Sequence, residues 1–396
     1  MRKKVARTGR RERKTVLKNP AFKWDRANWG IPPWTIEFRP LPRELPESVD
    51  YAVIGGGFAG LSAAAWLARL APGKRVALFE AATIGAGASG RTGGLVLAET
   101  AVGDLPGLGD VLKGYAKILR DLKIEAELEL PGVFELSHSR AMKNSPIRWK
   151  DSGTMAIASE APGGAVNPGK VLTGLARAAE VAGAMIFENA PVTELGFASS
   201  HIMICAGGRE IHAKKILIAT NAESLELGSL EREAQPKFTL GVATEPLSEA
   251  VLESLGLKSR KPFYTEDLPY LWGRLLADNS LVLGAGLVHL NDWREFDSID
   301  VHRGETKRMF DKFEERIHEF HPVLERVKIT HRWGGPILFP KNWLPVFRAH
   351  PRGKHAIVLQ GFSGHGVALS VYLGQWAAKA MLGRRKLPAW KLPHAH

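Results

Sequence analysis

The residues of this 396-residue chain best suited to chemistry begin with a glycine turn, Gly-Gly-Gly-Phe-Ala-Gly, at positions 55–60. Gly55 would allow a tight turn, Gly57 would let a pyrophosphate approach the backbone, and Gly60 would let a helix pack closely on a strand. An apolar helical pattern follows over residues 58–70, and the N-terminus of that helix would stabilise phosphate charge. The turn therefore predicts a dinucleotide site.

A carboxylate in a suitable place strengthens this interpretation. Glu80 ends the apolar run at 75–80, 20 residues after Gly60, where it could accept hydrogen bonds from both ribose hydroxyls of an adenosine. The order strand, glycine turn, helix, strand is that of a βαβ unit, which implies a parallel sheet.

A second glycine-rich segment, IGAGASGRTGGLV, occupies residues 84–96. Glycines at this density indicate a backbone loop pressed against something flat or charged. Ser89 suits a second pass along a pyrophosphate, and Arg91 could meet phosphate or flavin oxygens. The loop favours FAD over NAD, and the alternative is a mobile glycine loop without a ligand.

A third segment, residues 360–366, joins a strand to an apolar helix. The helix N-terminus would face an electron-rich group, and reduced flavin carries negative charge at its pyrimidine edge. The sequence around Ser363 nearly matches the hydrolase elbow GxSxG, but His365 replaces the last glycine, which disfavours a serine hydrolase. His365 is either a base or a histidine that orders the loop.

The formal net charge of +13 resides in the two ends of the chain. Residues 1–20 hold nine Lys or Arg and one Glu, and residues 384–396 hold four basic residues and no acid. The body is therefore close to neutral, which argues against a nucleic-acid partner. The basic N-terminal arm leaves contact with RNA or an anionic membrane surface open, but we expect residues 1–20 to be a disordered tail.

Several classes of protein are disfavoured by composition. The single cysteine, Cys205, excludes an internal disulfide and a CxxC motif. No apolar run reaches the roughly 18–20 residues of a membrane span, and no secretory signal is evident, so a cytoplasmic location is expected. His318 and His321 have metal-like spacing without an evident third ligand, so no metal is expected.

A strap, residues 21–49, leads into the first strand and carries Trp24, Trp29 and Trp34. Three tryptophans would be unusual in a plain linker, so we expect the strap to pack on the body. Residues 268–286 predict a hairpin that turns at Asp278-Asn279. The expected division is a basic tail (1–20), the strap (21–49), a cofactor domain (50–130, 166–235 and 336–383), a substrate domain (131–165 and 236–335) and a second basic tail (384–396).

The order of these motifs resembles that of a known family. The motifs are VIGGGFAGLSAA, Glu80, GASGRTGG, IATNA at 218–222, RWGGP at 332–336 and GFSGHGVAL. From about Trp24 to Leu382 the chain resembles the D-amino-acid oxidase-like FAD family, and within it the branch of gamma-glutamylputrescine oxidase. The resemblance implies a mixed α/β fold, with a Rossmann-like FAD-binding domain interleaved with a substrate domain on an antiparallel sheet.

The resemblance also implies roles for individual residues. Val192 would meet the adenine through its backbone, Thr220 and Asn221 would close over the cofactor, and residues 361–366 would cap the flavin pyrimidine. The full set expected to hold FAD is Gly55, Gly57, Phe58, Ala59, Gly60, Glu80, Ala81, Ala88, Ser89, Arg91, Thr92, Gly93, Gly94, Val192, Thr220, Asn221, Gly334, Gly361, Phe362, Ser363, Gly364, His365 and Gly366.

Departures from the family pattern narrow these expectations. The flavin-attaching cysteine of the sarcosine oxidase branch has no counterpart, and Arg91 stands where other relatives carry a flavin-linked histidine, so FAD should be non-covalent. Ala368 replaces the lysine that holds a substrate carboxylate in that branch, which favours a longer amine over a small α-amino acid. Val282 lies near the position of a lysine thought to activate oxygen, which leaves a dehydrogenase open.

The residues expected to face the substrate are Tyr270, Trp272, Trp333 and His365, with Trp34 as a weaker candidate. The aromatic rings could form a cage for a cationic amine, and ordinary core packing is the alternative for each of them.

The resemblance implies FAD-dependent oxidation of the C–N bond of a small amine or amino acid derivative, by hydride transfer to flavin and hydrolysis of the imine. Oxygen or another acceptor would reoxidise the flavin. The alternatives are an amine dehydrogenase with a non-oxygen acceptor, a flavoenzyme that modifies tRNA bases, and a flavin-binding protein without turnover.

Overall fold

Two large β-sheets carry most of the strands, and the computed structural model describes residues 15–19, 22–23 and 26–390. The helices are α1 (Phe58–Leu70), α2 (Ala88–Arg91), α3 (Val111–Asp121), α4 (Pro168–Val181), α5 (Leu225–Gly228), α6 (Glu249–Leu255), α7 (Gly304–Phe320) and α8 (Gly366–Met381), with short 3-10 helices at Ala27–Trp29, Trp293–Ser298 and Pro322–Leu324. The strands are β1 (Thr15–Lys18), β2 (Ser48–Ile54), β3 (Val76–Phe79), β4 (Leu95–Leu97), β5 (Val133–Ser137), β6 (Arg148–Lys150), β7 (Thr154–Ala161), β8 (Gly163–Ala165), β9 (Met185–Phe187), β10 (Val192–Phe197), β11 (Ile202–Ala206), β12 (Arg209–Ile218), β13 (Ala234–Pro246), β14 (Phe263–Thr265), β15 (Leu271–Leu275), β16 (Ser280–His289), β17 (Ile329–Pro340), β18 (Val346–His350) and β19 (Gly353–Gln360). The mixed α/β fold predicted from the sequence is confirmed.

The first sheet has the strand order β1-β10-β11-β12-β2-β3-β9, and β19 pairs with the end of β12 and with β18. In its parallel part, Ile54 lies beside Phe79 and Ile218, and Ile218 lies beside Val358. Because these registers align the carboxyl ends of β2, β3, β12 and β19, the residues that follow the four strands meet at one edge of the sheet. Ligands of open α/β sheets bind at such an edge.

Helices α1 and α8 pack closely together because small residues line their contact. The Ser62 hydroxyl donates to the Val371 carbonyl at 2.7 Å, and a Cβ at Gly374 would lie 2.5 Å from the Ala59 carbonyl oxygen. This packing fixes both helices that begin at the predicted glycine motifs.

The second sheet has the order β17-β13-β16-β15-β14-β5-β7-β6 and is antiparallel except where β14 pairs with β5. In the predicted hairpin, Leu275 lies opposite Leu281, and the Asn279 N–H donates to the Leu276 carbonyl at 3.0 Å to close the turn. The hairpin predicted at residues 268–286 is confirmed. Helix α7 buries Thr306, Phe310, Phe313, Ile317 and Phe320, and most of its other residues are charged.

The strap packs on the body where the structure describes it. Trp29 is 1% exposed and Trp34 is 8% exposed, so the expectation is confirmed for both residues. Trp24 lies outside the described residues.

The expectation of a disordered tail over residues 1–20 is wrong for its last part. Thr15–Lys18 forms β1 and pairs antiparallel with β10, with Leu17 opposite Leu195 and only 8% exposed. The strand covers what would otherwise be an open sheet edge. Residues 1–14 lie outside the described residues.

The second basic end packs against α8 as far as residue 390. The Arg385 guanidinium lies 3.2 Å from the centre of the Trp376 ring, and the Trp390 indole N–H donates to the Pro106 carbonyl at 3.2 Å. Residues 391–396 lie outside the described residues. Within the described part of the chain, each helix is too short or too polar to cross a membrane.

Candidate functional site

A cavity of about 940 Å³ lies where the carboxyl edge of the first sheet meets the second sheet. Residues of both sheets, of the glycine loop and of α7 line it. The residues predicted from the sequence to hold FAD that line this cavity are Gly55, Gly57, Phe58, Ala59, Glu80, Ala81, Ala88, Ser89, Arg91, Thr92, Gly93, Val192, Thr220, Asn221, Phe362, Ser363, Gly364, His365 and Gly366.

The glycine turn has the backbone geometry that its sequence requires. Gly55 adopts a φ of +107°, and a Cβ there would lie 2.6 Å from the Ala219 carbonyl oxygen. A Cβ at Gly60 would lie 1.9 Å from the Gly55 carbonyl oxygen, so α1 can approach the turn only because residue 60 is glycine. Gly57 precedes the helix and has no side chain to cap it, and the helix begins at the cavity wall.

Glu80 lies beside this turn and holds it through two backbone hydrogen bonds. Its carboxylate accepts from the Gly56 N–H at 2.7 Å and from the Ala82 N–H at 2.9 Å. Burial raises the pKa of Glu80 from 4.5 to about 7, and these two donors oppose the rise. Each carboxylate oxygen retains a lone pair that could accept from a ribose hydroxyl.

The glycine loop is fixed from both sides. The Ser89 hydroxyl accepts from the Phe58 N–H at 3.0 Å, which joins the loop to the start of α1. The indole N–H of Trp34 donates to the Gly90 carbonyl at 2.7 Å, and that of Trp333 donates to the Arg91 carbonyl at 2.9 Å. The loop is therefore ordered by protein contacts, in contrast to the alternative of a mobile glycine loop.

The Arg91 guanidinium has protein partners that the sequence did not suggest. It donates to the carbonyls of Gly30 at 2.8 Å, Gly334 at 3.2 Å and Trp29 at 3.3 Å. Burial lowers its pKa to about 10, which leaves the group charged at neutral pH. Its bonds hold the strap and β17 against the loop, and Arg91 also lines the cavity, so the expected contact with phosphate or flavin oxygens stays a prediction.

The segments after β12 and β19 are bonded to each other at the sheet edge. The Gly361 N–H donates to the Asn221 side-chain oxygen at 3.0 Å. With the Gln360 amide oriented to satisfy its neighbours, its oxygen accepts from the Asn221 N–H at 3.1 Å and the Thr220 N–H at 3.3 Å. These bonds link Thr220 and Asn221 to the loop that opens α8.

That loop turns sharply before α8 begins at Gly366. Ser363 has a φ of +48° and Gly364 a φ of +91°, both in the left-handed region that costs energy for a non-glycine residue. Nδ1 of His365 lies 3.3 Å from the Ser363 carbonyl oxygen, and burial lowers the pKa of His365. The imidazole is thus neutral at pH 7 and placed to hold the turn.

Aromatic residues form the other part of the cavity wall. Trp272 fits between two glycines, because a Cβ at Gly93 or at Gly284 would lie 2.0 Å from its ring. Tyr270 is 46% exposed and lies at the cavity mouth, whereas Trp333 is 1% exposed. All four residues expected to face a substrate, Tyr270, Trp272, Trp333 and His365, line the cavity, and the indole N–H of Trp333 donates to the loop. Their contact with a substrate stays a prediction.

Four residues of the predicted FAD set lie outside the cavity lining. Gly60 packs α1 on the turn, as expected for it. Gly94, Gly334 and Gly361 were expected at the cofactor, but a Cβ on them would meet the Val166 carbonyl, the Phe238 ring and the Pro340 ring respectively. These three glycines allow close packing of protein segments behind the wall.

The sequence interpretation missed the contribution of α7 and of the N-terminal strand. Met309, Lys312, Phe313 and Arg316 of α7 line the cavity, whereas the many charged residues at 304–319 predict a surface helix. Asn19, which directly follows β1, donates through its side-chain amide to the Val192 carbonyl at 3.2 Å. The apolar spacing of Met309 and Phe313 was the available signal for α7.

The residues present fit an FAD molecule. A Cβ at Gly57, the position expected to meet the pyrophosphate, would lie 2.8 Å from the Ser89 hydroxyl oxygen, so this corner has no room for a side chain. The N-terminus of α1 at the cavity wall suits a pyrophosphate and Glu80 suits a ribose. The cavity continues from there to the aromatic wall, as an extended dinucleotide requires.

Comparisons with known proteins agree with this geometry. The chain matches the family model described as DAO, FAD dependent oxidoreductase, over residues 50–380. It is 29% identical over 393 residues to "Probable oxidoreductase OrdL" of Haemophilus influenzae, covering 88% of this chain and 86% of that protein. It is 28% identical over 384 residues to gamma-glutamylputrescine oxidoreductase of Escherichia coli, covering 86% of this chain and 85% of that protein.

Among solved structures, glycine oxidase from Geobacillus kaustophilus shares the fold with a TM-score of 0.68 at 21% identity, covering 88% of this chain and 97% of that one. The match to the family model covers every glycine motif described above and all strands except β1 and the first two residues of β2. The chain therefore belongs to the family of FAD dependent oxidoreductases.

Proposed function

We propose that this protein oxidises the C–N bond of an amine or amino acid derivative, with FAD as a non-covalent cofactor. The observation that carries the proposal is one continuous cavity that joins the glycine turn and Glu80 to a wall formed by Tyr270, Trp272 and Phe362. The names of relatives such as gamma-glutamylputrescine oxidoreductase and glycine oxidase support the choice of a C–N bond.

FAD would accept the hydride that leaves the carbon next to the nitrogen, and the resulting imine would hydrolyse. The protein has to position the substrate carbon and exclude water, because hydride transfer depends more on geometry than on an acid–base pair. Trp272, held between Gly93 and Gly284, supplies a rigid wall for this purpose. His365, kept neutral by burial, adds no positive charge that would repel a protonated amine.

A dehydrogenase that passes electrons to an acceptor other than oxygen is the second candidate. One observation favours it: Val282 is fully buried in an apolar cluster with Trp34, Ala243 and Trp333. The resemblance places an oxygen-activating lysine near Val282, whereas the cation opposite Val282 in the sheet is Arg274, which is buried and donates to the Gly93 carbonyl.

An anaerobic screen of amines that follows flavin absorbance tests the proposal. We expect at least one amine to bleach the flavin of the purified yellow protein. Readmission of air then separates the two candidates, because an oxidase recovers its absorbance rapidly and a dehydrogenase recovers it slowly. A protein that binds no FAD, or a bound flavin that no amine reduces, would overturn the proposal.

A further inference from the structure

Three buried donors hold the glycine loop that lines the cavity. Two of them are neutral, the indole N–H groups of Trp34 and Trp333, which bond the carbonyls of residues 90 and 91. The third is charged: Arg274 of β15 donates from Nε to the Gly93 carbonyl. Because the indoles fix their carbonyls without a charge, a neutral donor would suffice to hold Gly93, and the charge of Arg274 needs a separate explanation.

Arg274 lies behind the cavity wall and is shielded from water. Its side chain projects from the same face of β15 as that of Trp272, two residues earlier, which lines the cavity. The guanidinium lies 6.0 Å from the centre of the Trp34 ring, and only 7% of the residue is exposed. Burial lowers the pKa of Arg274 to about 10, so the group remains charged at neutral pH.

The counter-charges of Arg274 are remote and solvated. The carboxylates that act on its charge are those of Glu127 and Glu129, and within the described part of the chain neither comes within ion-pair distance of the guanidinium. Both glutamates are exposed, and Glu127 is paired with Lys170, so water and this pairing weaken their effect. A buried charge without a close counter-ion costs free energy in the FAD-free protein.

Arg91, the other buried cation at this loop, differs in this respect. Glu223, which lines the cavity and is paired with Arg26 of the strap, acts on the charge of Arg91 and on that of Glu80. The described acids of the cavity wall, Glu80 and Glu223, therefore lie on the side of Arg91 and of the glycine turn. Neither of them is among the groups that act on Arg274, so the charge of Arg274 is left to interact with whatever the cavity binds.

We propose that Arg274 is a positioning residue that raises the reduction potential of the bound flavin, because its charge stabilises the negative charge that flavin gains on reduction. That negative charge lies at the pyrimidine edge of reduced flavin, and the interaction is strong where water is excluded. The bond to the Gly93 carbonyl also directs the following N–H group, that of Gly94, which lies 3.5 Å from Oγ1 of the cavity-lining Thr92. The inference requires bound FAD but no particular substrate, so it stands apart from the proposed amine oxidation.

The test measures the potential of the flavin in FAD-loaded protein, anaerobically at pH 7 against a reference dye. Arg274→Gln keeps a neutral donor for the Gly93 carbonyl, and Arg274→Lys keeps the charge. Arg260→Met is the matched control, because it removes a half-buried guanidinium that bonds the Leu276 carbonyl at 2.6 Å on the same hairpin, outside the cavity lining. At a fixed potential we expect the ratio of reduced to oxidised flavin to fall about tenfold in Arg274→Gln, which is about 30 mV for a two-electron couple. The ratio should stay within about threefold of wild type in Arg274→Lys and in the control.

A variant that loses FAD during purification is titrated as FAD-free protein with oxidised and with reduced FAD. By linkage, the ratio of the two Kd values reports the same quantity as the potential. We expect the Kd for reduced FAD to rise about tenfold more than that for oxidised FAD in Arg274→Gln. Equal rises of the two Kd values, with an unchanged potential, would show that Arg274 only orders the loop and would overturn the inference. A potential in Arg274→Lys as low as in Arg274→Gln, or an equal shift in Arg260→Met, would overturn it as well.

Discussion

Trp34 and Trp333 meet edge to face, with ring centroids 5.4 Å apart and planes at 83°. Trp34 belongs to the strap and Trp333 to β17, yet their indole N–H groups donate to consecutive carbonyls of the glycine loop, those of Gly90 and Arg91. In a trans peptide unit the N–H points opposite to the C=O. Each indole bond therefore also fixes the direction of the N–H group that follows the bonded carbonyl. These N–H groups belong to a loop that lines the cavity.

Replacement of Trp34 by Phe should weaken FAD binding while it leaves the fold intact. The phenyl ring keeps the packing against Trp333, but the buried Gly90 carbonyl loses its donor, a loss of about 1 kcal/mol or more. We expect the Kd for FAD, measured on FAD-free protein by quenching of flavin fluorescence, to rise roughly fivefold. Trp390→Phe is the matched control, because its indole N–H bonds the Pro106 carbonyl outside the cavity lining. Equal effects of the two variants would contradict the role given to Trp34.

The sequence was sufficient to predict the parts of the site that depend on local backbone geometry. Gly55 has the positive φ expected of a tight turn, and Gly60 has the expected close contact with the Gly55 carbonyl, because both constraints arise within a turn and helix start of six residues. Glu80 was predictable for the same reason, since a βαβ unit brings the end of its second strand beside the turn.

Contacts between segments far apart in sequence were not predictable. Arg91 bonds carbonyls of the strap and of β17, and no local pattern reveals such partners. The contact of Met309 and Phe313 of α7 with the cavity was not predictable, because helical periodicity shows which face is apolar and not which element covers it. The strand Thr15–Lys18 was not predicted, because it lies among basic residues whose composition suggests disorder.

Replacement of Gly57 by Val should abolish FAD retention. A Cβ at this position would lie 2.8 Å from the Ser89 hydroxyl oxygen, at the corner where the pyrophosphate is expected to approach α1. We expect the purified variant to be colourless and its FAD affinity to fall at least about a hundredfold. Circular dichroism should show unchanged secondary structure, because residue 57 does not require a positive φ. Stoichiometric FAD in a folded Gly57→Val variant would show that the pyrophosphate lies elsewhere.

Glu80 should make FAD binding depend on pH. Its pKa is raised to about 7 in the FAD-free protein, and the ionised carboxylate is the better acceptor for ribose hydroxyls. FAD affinity should therefore fall as the pH drops through 7, by roughly tenfold between pH 8 and pH 6. Titrations of FAD-free protein at a series of pH values measure this slope.

The Glu80→Gln variant provides the control for that slope. Its side chain does not titrate, so its FAD affinity should be lower at pH 8 and nearly constant down to pH 6. The stability of FAD-free protein should change in the opposite sense. Because the folded-state pKa lies above the ordinary value of 4.5, ionisation of Glu80 costs stability, and the free energy of unfolding of wild type should fall relative to Glu80→Gln as the pH rises through 7. A pH slope of FAD binding that persists in Glu80→Gln would assign it to another group.

Replacement of His365 by Asn separates a loop-ordering histidine from a catalytic base. The neutral imidazole is placed to donate from Nδ1 to the Ser363 carbonyl at 3.3 Å, which holds a serine whose φ is +48°. An Asn side chain can supply the same donor but cannot accept a proton, whereas Leu supplies neither. We expect Asn to leave FAD affinity and the limiting rate of anaerobic flavin reduction within about threefold of wild type, and Leu to weaken FAD binding about tenfold. A fall of roughly a hundredfold or more in flavin reduction for the Asn variant, with unchanged FAD binding, would identify His365 as the base instead.

Because burial lowers the pKa of His365, the free energy of unfolding of wild type should also decrease as the pH falls below about 6.5, and it should decrease less in the Asn variant.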